Sequence, residues 1–340
     1  MNAPLLSALA ATHAIAPRAA WLTWAGRAAV LPALVSRPER INRSAWTSRT
    51  TLRQFARSEG WSDPGEREAI ESVKARAAGG AILDIGVGAG RTVPLLREIS
   101  DDYRAIDFLA PMVEECAKRF PDVDVAVGDA RDLSRFGDGE LDLVVFSWNG
   151  IDAVEHGDRA QILAEVHRVL APGGTFQFST HNIAGRGWQE TPWTVHKEDL
   201  GHPRRLAELA VYLPINARNH HRNRVNGPHG DGWGMANAGA HHFSLVIHYT
   251  TLGVELDELA DAGFEHIEVW DNETGRPVLP GQDTSGTWWF QLAARKAVEP
   301  PEAAAAASTG QALPGADTYH RAASAPLTER ADNRTLRPPS

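Results

Sequence analysis

The order of apolar runs, glycines and helix signals predicts an α/β fold built on a doubly wound parallel sheet. Strand-like and helix-like segments alternate along the body of the chain, which implies βαβ units winding one sheet. The run Leu141 to Phe146 (LDLVVF) is almost wholly apolar, as a strand covered on both faces must be. A short apolar strand over 81–85 runs into Gly86, Gly88 and Gly90. Glycines let the backbone turn sharply there before a helix begins.

Composition bounds that body. With 340 residues, 43% apolar and 23% charged, the chain can build a sizeable core, which excludes a wholly disordered or collagen-like protein. The longest candidate span, 19–36, is broken by Arg27 and Pro32 and falls short of the roughly 20 apolar residues of a membrane helix. Residues 1–43 are Ala- and Arg-rich and read as a disordered or basic N-terminal arm. No positive segment precedes the apolar stretch 5–16, which argues against a secretory signal. Residues 297–340 read as a disordered Ala/Pro-rich tail, leaving 44–296 as the folded domain. Residues 1–57 carry +7 and the remainder −16. An acidic body argues against a nucleic-acid footprint. One cysteine, Cys116, excludes an internal disulfide and a multi-cysteine zinc site, and is compatible with a cytoplasmic setting. Arginine supplies 30 of the 34 basic residues, a bias that suggests a GC-rich bacterial gene. Oligomeric state leaves no trace in the sequence.

Each element has its own signals. Asp63-Pro64 opens a helix through about 77: Asp63 can cap it, proline suits its first position, and Glu66 and Glu68 favour its positive end. After the glycine turn a helix runs through Leu95 and Leu96. Residues 103–106 form the next strand, 111–120 the next helix and 123–127 a third strand. Asp158 and Gln161 make a capping box for a helix over 159–170, with Ile162, Leu163, Val166, Val169 and Leu170 on its apolar face. Pro172-Gly173-Gly174 ends it, and 175–179 is another strand. After an insertion over 181–250, a helix over 252–262 is closed by Gly263, and 266–270 and 287–293 read as two late strands.

The glycine turn departs from the dinucleotide fingerprint. That pattern wants glycine at the first, third and sixth positions, but the sixth is Arg91 and the third glycine falls one place early. Asp84, just before the turn, opposes a pyrophosphate and suits an ammonium group, which points to a cofactor bearing a cationic amino acid. Asp107, 23 residues further on, can accept hydrogen bonds from ribose hydroxyls, as it can in nicotinamide enzymes. Asp129, in Val127-Gly-Asp-Ala-Arg131, can accept a hydrogen bond from an adenine amino group.

With these pieces in order, the chain resembles a class I S-adenosylmethionine-dependent methyltransferase of the small-molecule type. The matching segments are LDIGVGAG (83–90), AIDFLAPMV (105–113), VGDARDL (127–133), LDLVVFSWNGID (141–152) and RVLAPGGTFQFST (168–180). The resemblance implies a Rossmann-like seven-stranded sheet with an antiparallel last strand, the closing pair ending in WWFQLAARK (288–296), and the insertion lying between strands 5 and 6. It implies S-adenosylmethionine as cofactor. Asp84, Gly86 and Gly88 would hold the methionine part, with Gly90 in the same turn or serving helix packing. Asp107 would hold the ribose, Phe108 and Met112 would pack near ribose or adenine, and Asp129 and Ala130 would meet the adenine. Ser147 and Trp148 would lie beneath the sulfonium.

The acceptor is less constrained. The fourth strand ends Ser147-Trp148-Asn149-Gly150, without the Asn/Asp-Pro-Pro-Tyr/Phe motif that resembling enzymes use on exocyclic base nitrogens. The insertion holds nine of the fourteen histidines. Its stretch 216–230 carries Arg218, Arg222 and Arg224 with no acid up to Gly230, suited to a phosphate or carboxylate or else a solvated loop. Adjacent histidines on a strand face opposite ways, so no metal site is expected. Candidate bases are His181 and Asp152, at the carboxyl ends of strands where a parallel sheet places its ligands, with His156 a lesser one. Trp46, Arg49, Arg53 and Arg57 suggest a helix covering the cofactor, or a peripheral amphipathic helix. The expected function is methyl transfer to oxygen or nitrogen of a small molecule, an anionic one where the arginines meet it, with no nucleic acid or membrane partner. The alternatives are a nicotinamide-dependent oxidoreductase and a non-catalytic binding protein on the same scaffold.

Overall fold

The computed structural model describes residues 36–47, 51, 59–195, 200–224 and 229–298. Seven strands form one sheet: β1 (Ile82–Ile85), β2 (Tyr103–Asp107), β3 (Asp124–Val127), β4 (Leu141–Phe146), β5 (Leu170–His181), β9 (Phe264–Asp271) and β10 (Trp289–Lys296). Their order across the sheet is β3-β2-β1-β4-β5-β10-β9. β1 to β5 pair in parallel, whereas β10 runs antiparallel between β5 and β9. The order reverses at β1, which sends β2 and β3 to one side and β4 and β5 to the other. A doubly wound sheet opens its ligand crevice at that point, beyond the carboxyl ends of its strands.

Helices cover both faces. α1 (Arg37–Trp46) precedes the sheet. α2 (Pro64–Ala77), α3 (Val93–Arg97), α4 (Ala110–Arg119) and α5 (His156–Val169) alternate with its strands. Asp63 caps α2 through the Glu66 N–H at 2.7 Å. In β4, Leu141, Leu143, Val144 and Val145 have no exposed surface. Phe176 and Phe178 of β5 stack at 4.4 Å in the same core. Burying each such side chain contributes about 1.5–3 kcal/mol, so the β4–β5 pair is the rigid base on which the adjoining loops stand.

Three local expectations need correction. The α5 capping box does not form: the helix starts at His156 behind Glu155. Asp158 accepts from Arg131 at 2.9 Å, and the Gln161 amide donates to the Arg131 carbonyl. Pro172-Gly173-Gly174 does not separate helix from strand. β5 already begins at Leu170, and a register shift absorbs the segment between the Leu141 and Leu143 pairings. The arm expected over 1–43 is helical from Arg37. Ser36 caps α1 through the Glu39 N–H, and its buried positions are Pro38, Glu39 and Asn42, so no apolar stripe announced it. Asn42 is fully buried and makes three hydrogen bonds, to the Ala153 and Val246 carbonyls and from the Val246 N–H. A buried amide left unpaired would cost about 1–3 kcal/mol, so these bonds fix α1 on the chain beneath it. Residues 1–35, Arg49, Arg53, Arg57 and the expected tail from 299 onward lie outside the described residues.

The insertion contributes α6 (Pro203–Asn223) and a three-stranded antiparallel sheet of β6 (His229–Gly230), β7 (Trp233–Ala238) and β8 (Leu245–Thr250). A bridge from Asn182 to Thr250 ties β8 beside the end of β5, and α7 (Leu252–Asp261) returns the chain to the main sheet. No described helix is long and apolar enough to cross a membrane.

Candidate functional site: two cavities with a common wall

The first cavity opens where the sheet order reverses. Gly86 and Gly88 from the turn, Asp107 and Phe108 after β2, Met112 of α4, and Asp129 and Ala130 after β3 all line it, with Ser147 and Trp148 after β4. The turn needs its glycines, since Gly86 and Gly88 have φ of +68° and +56°. Asp107 lies at the centre. Its Oδ2 accepts the Gly88 N–H at 2.9 Å and its Oδ1 the Leu109 N–H at 2.8 Å, so this carboxylate shapes the turn as well as facing the cavity. Burial pushes it up to about 6 against those two hydrogen bonds. Met112 is buried and Phe108 meets Trp46 edge-on at 5.8 Å.

Two expected turn residues stand off the lining. Gly90 (φ +90°) packs against the Phe120 ring and Cys116; a side chain there would collide with Phe120, which is the helix-packing role. Asp84 is buried just behind the turn. Its Oδ2 accepts from the Thr92 hydroxyl and from Tyr103 at 2.7 Å, while its buried Oδ1 has no hydrogen-bond partner. Burial pushes its carboxyl up to about 6, opposed by those hydrogen bonds and the Arg91 charge. Asp129 lines the cavity but already has a partner: Arg131 grips it, with Nη2 to Oδ2 at 2.6 Å. Burial raises its pKa, yet the hydrogen bonds and charge of Arg131 outweigh that and hold it below the usual carboxylate range.

Arg91 is the residue that sequence reasoning missed. Counted only as an absent glycine, it is nearly buried on the cavity wall. It holds Glu66 through two 2.7 Å bonds, donates to Ser147 Oγ and the Trp61 carbonyl, and lies 4.8 Å over the Trp148 ring. Glu66 reads as a helix-end charge in the sequence, although here it is a fully buried counter-ion. The only available signal was an arginine directly after a glycine turn. α1 adds Glu39, Asn42 and Trp46 to this cavity.

A second, larger cavity adjoins the first, and Trp46, Trp148 and Asn149 line both. Trp148 and Asn149 adopt left-handed φ of 53° and 57°, conformations that cost energy in non-glycine residues and cluster at functional sites. His181 lines the second cavity. Its Nδ1 is 2.7 Å from Asp152 Oδ2, and its Nε2 is 3.3 Å from the Asn149 amide. The two candidate bases are therefore one hydrogen-bonded dyad. Asp152 is fully buried and also accepts from the His181 N–H, the Thr180 hydroxyl and Arg159 Nη1 at 2.7–2.8 Å. Arg159, likewise buried, bonds Glu255 at 2.5 Å on its other side. Glu255 is pushed up to about 7 by burial, against the attraction of Arg159. His156 is placed elsewhere: it stacks on Trp233 at 3.8 Å and bonds His248 at 3.1 Å.

The three candidate substrate arginines do not converge. All three are exposed, and Arg222 lines the second cavity whereas Arg218 and Arg224 do not. Arg37 and Arg40 of α1 supply the other guanidinium groups. No cluster of potential metal ligands occurs among the described residues.

Residues 82–174 match the methyltransferase domain family. The match runs from β1 into β5, the part of the sheet that carries the glycine turn, Asp107 and Asp129. A probable S-adenosylmethionine-dependent methyltransferase of Mycolicibacterium smegmatis is 33% identical over 141 residues, 41% of this chain and 51% of that protein. The demethylmenaquinone methyltransferase of Renibacterium salmoninarum is 35% identical over 96 residues, 28% of this chain and 39% of that protein. The chain thus spans about half or less of the length of these bacterial relatives. Among solved structures, the Burkholderia thailandensis 1,6-didemethyltoxoflavin-N1-methyltransferase, with bound 1,6-didemethyltoxoflavin and S-adenosylhomocysteine, is similar at a TM-score of 0.48 and 16% identity, over 87% of this chain and 94% of that one.

Proposed function

We propose that the chain transfers a methyl group from S-adenosylmethionine, held in the first cavity, to an oxygen or nitrogen of a small anionic molecule held in the second. The common wall carries this reading. Trp46, Trp148 and Asn149 border both cavities, and Asn149 reaches the His181–Asp152 dyad. The residues present fit the cofactor. The unpartnered Oδ1 of Asp84 suits an ammonium group. Asp107 has lone pairs left for ribose hydroxyls. Phe108, Met112 and Ala130 offer apolar contact to a flat base, with Asp129 at its edge. Ser147 and Trp148 form the floor. The lone cysteine and acidic body fit a cytoplasmic bacterial enzyme, with the 181–250 insertion as its acceptor-binding part.

The cofactor supplies a methyl group already activated on a cationic sulfur. What remains for the chain is alignment, which can contribute several kcal/mol, and removal of a proton where the acceptor carries one. His181 suits that task. Its Nδ1–H donates to Asp152, which fixes the tautomer and leaves Nε2 to take a proton at the common wall. Asp152 holds the ring through both the backbone N–H and the imidazole of the same residue.

Calorimetric titration of the full chain with S-adenosylmethionine and, separately, NAD tests the reading, with Asp107→Ala as control. Binding of the first alone, lost in the variant, is expected. Binding of NAD alone, or of neither, would favour the oxidoreductase or an empty scaffold.

A further inference from the structure

We propose that the acceptor is an aromatic acid, with its anionic group at the arginine end of the second cavity and its hydroxyl or amine at the common wall. This rests on reading the second cavity as the acceptor site. Charge is the first argument. Arg37, Arg40 and Arg222 line the cavity, and no Asp or Glu lines it among the described residues, although the chain as a whole carries −9. Glu190 packs against Gly239 but is not part of the lining. Guanidinium groups recognise carboxylates and phosphates with paired, directional hydrogen bonds.

Position is the second argument. Arg37 Nη2 donates to the Arg222 carbonyl at 3.4 Å, which places the start of α1 beside the end of α6 although the two residues are 185 apart in sequence. Trp46 closes the other end of α1. At 1.5 Å per residue, Arg40 and Arg37 stand about 9 and 13 Å from Trp46 along the helix axis. An arginine side chain spans part of that distance, so one small molecule can touch both ends. His181 and Asn149 stand at the common wall, where the nucleophilic atom must lie.

The third argument is the wall itself. Trp46, Trp61, Trp148 and Trp289 all line the cavity, and the His181 ring lies 6.1 Å from Trp289. Indoles favour offset or edge-on contact with another ring. His241 and His242 also line it, on a turn with left-handed φ of 49° and 60°. Burial and the neighbouring His242 push the His241 imidazole down, towards its neutral form.

The test is binding to the full chain, free and saturated with S-adenosylhomocysteine. The probes are 4-hydroxybenzoate and 4-hydroxycinnamate, the methyl ester of each, tyramine, and the ring-free acid 6-hydroxyhexanoate. At least one aromatic acid should bind about tenfold or more tightly than its ester and than 6-hydroxyhexanoate, and tyramine should not bind. Arg40→Gln and Arg222→Gln should each weaken that acid about tenfold, as expected for one charge-assisted hydrogen bond, and leave its ester unchanged. Methyl transfer to the same acid should show the loss in KM. Esters or tyramine binding as well as the acids would overturn the proposal. So would equal binding of 6-hydroxyhexanoate, or no acid binding to either form. Failure of S-adenosylhomocysteine to bind would instead refute the cofactor reading, and the acids on the free chain would still decide the acceptor class.

Discussion

Cofactor binding should release protons and strengthen as pH rises from 5 to 7. Asp84 supplies the reason. Burial holds its carboxyl at about 6 instead of 3.8, and its Oδ1 has no partner. The sign follows from linkage. A carboxyl raised in the folded state favours folding below its unfolded pKa, and that contribution fades as pH climbs from about 4 through about 6. An ammonium group placed on Oδ1 reverses the shift, because it favours the charged form. At pH 6 the free protein carries about half a proton on this group, which binding should expel. Between pH 5 and 7 the ionised fraction rises about tenfold, so affinity should rise about tenfold, roughly 1.4 kcal/mol. An α-amino group titrates near 7.7–8.0 and stays charged across this window. Calorimetry with S-adenosylmethionine in two buffers of different ionisation enthalpy reads both quantities. Asp84→Asn should weaken binding and flatten the dependence. Affinity independent of pH from 5 to 7, with no proton release at pH 6, would refute the placement of the ammonium on Asp84.

Other perturbations separate structural roles from chemical ones. Glu66→Gln leaves the buried Arg91 without its counter-ion and should cost about 3–5 kcal/mol in urea unfolding; a loss below about 1 kcal/mol would mean that water reaches the pair. Gly90→Ala forces a side chain onto the Phe120 ring at φ +90° and should cost about 1–3 kcal/mol. Cofactor affinity measured on the folded fraction should stay unchanged, because Gly90 is off the cavity lining. Arg159→Met strands Asp152 and Glu255 without a cation and should destabilise by about 3–5 kcal/mol, read as a lower unfolding midpoint. His181→Gln should keep S-adenosylmethionine binding and lower turnover of a hydroxyl acceptor by about 10²–10⁴; full turnover would remove His181 as the base.

What the sequence discloses and what it hides divide along one physical line. Strand β4 is legible because covering a strand on both faces demands a continuous apolar run, and LDLVVF is one. The glycine turn is legible because backbone geometry restricts which residues fit there, and the antiparallel last strand is legible only through the family that the chain resembles. Arg91 and Glu66 escape because each looks ordinary in its own segment, and only the fold brings the two charges together in the core. α1 escapes for the opposite reason: it is anchored by Asn42, a buried amide on polar partners, where periodicity reading looks for an apolar stripe. The same line explains the acceptor. The arginine-rich stretch 216–230 looks like an anion site in sequence, yet only Arg222 lines the cavity: Arg218, one helical turn earlier on the same face, stops short of it, and Arg224 lies past the helix end. The other two guanidiniums come from Arg37 and Arg40, which lie within the segment expected to be a disordered or basic arm. On the acceptor reading proposed above, recognition is assembled between a helix before the sheet and a helix inserted after its fifth strand. Local chemistry can announce the cofactor cavity, whose candidate residues stand at the ends of four strands each read from its own apolar run, but not the proposed acceptor cavity, whose arginines come together only after both helices have packed.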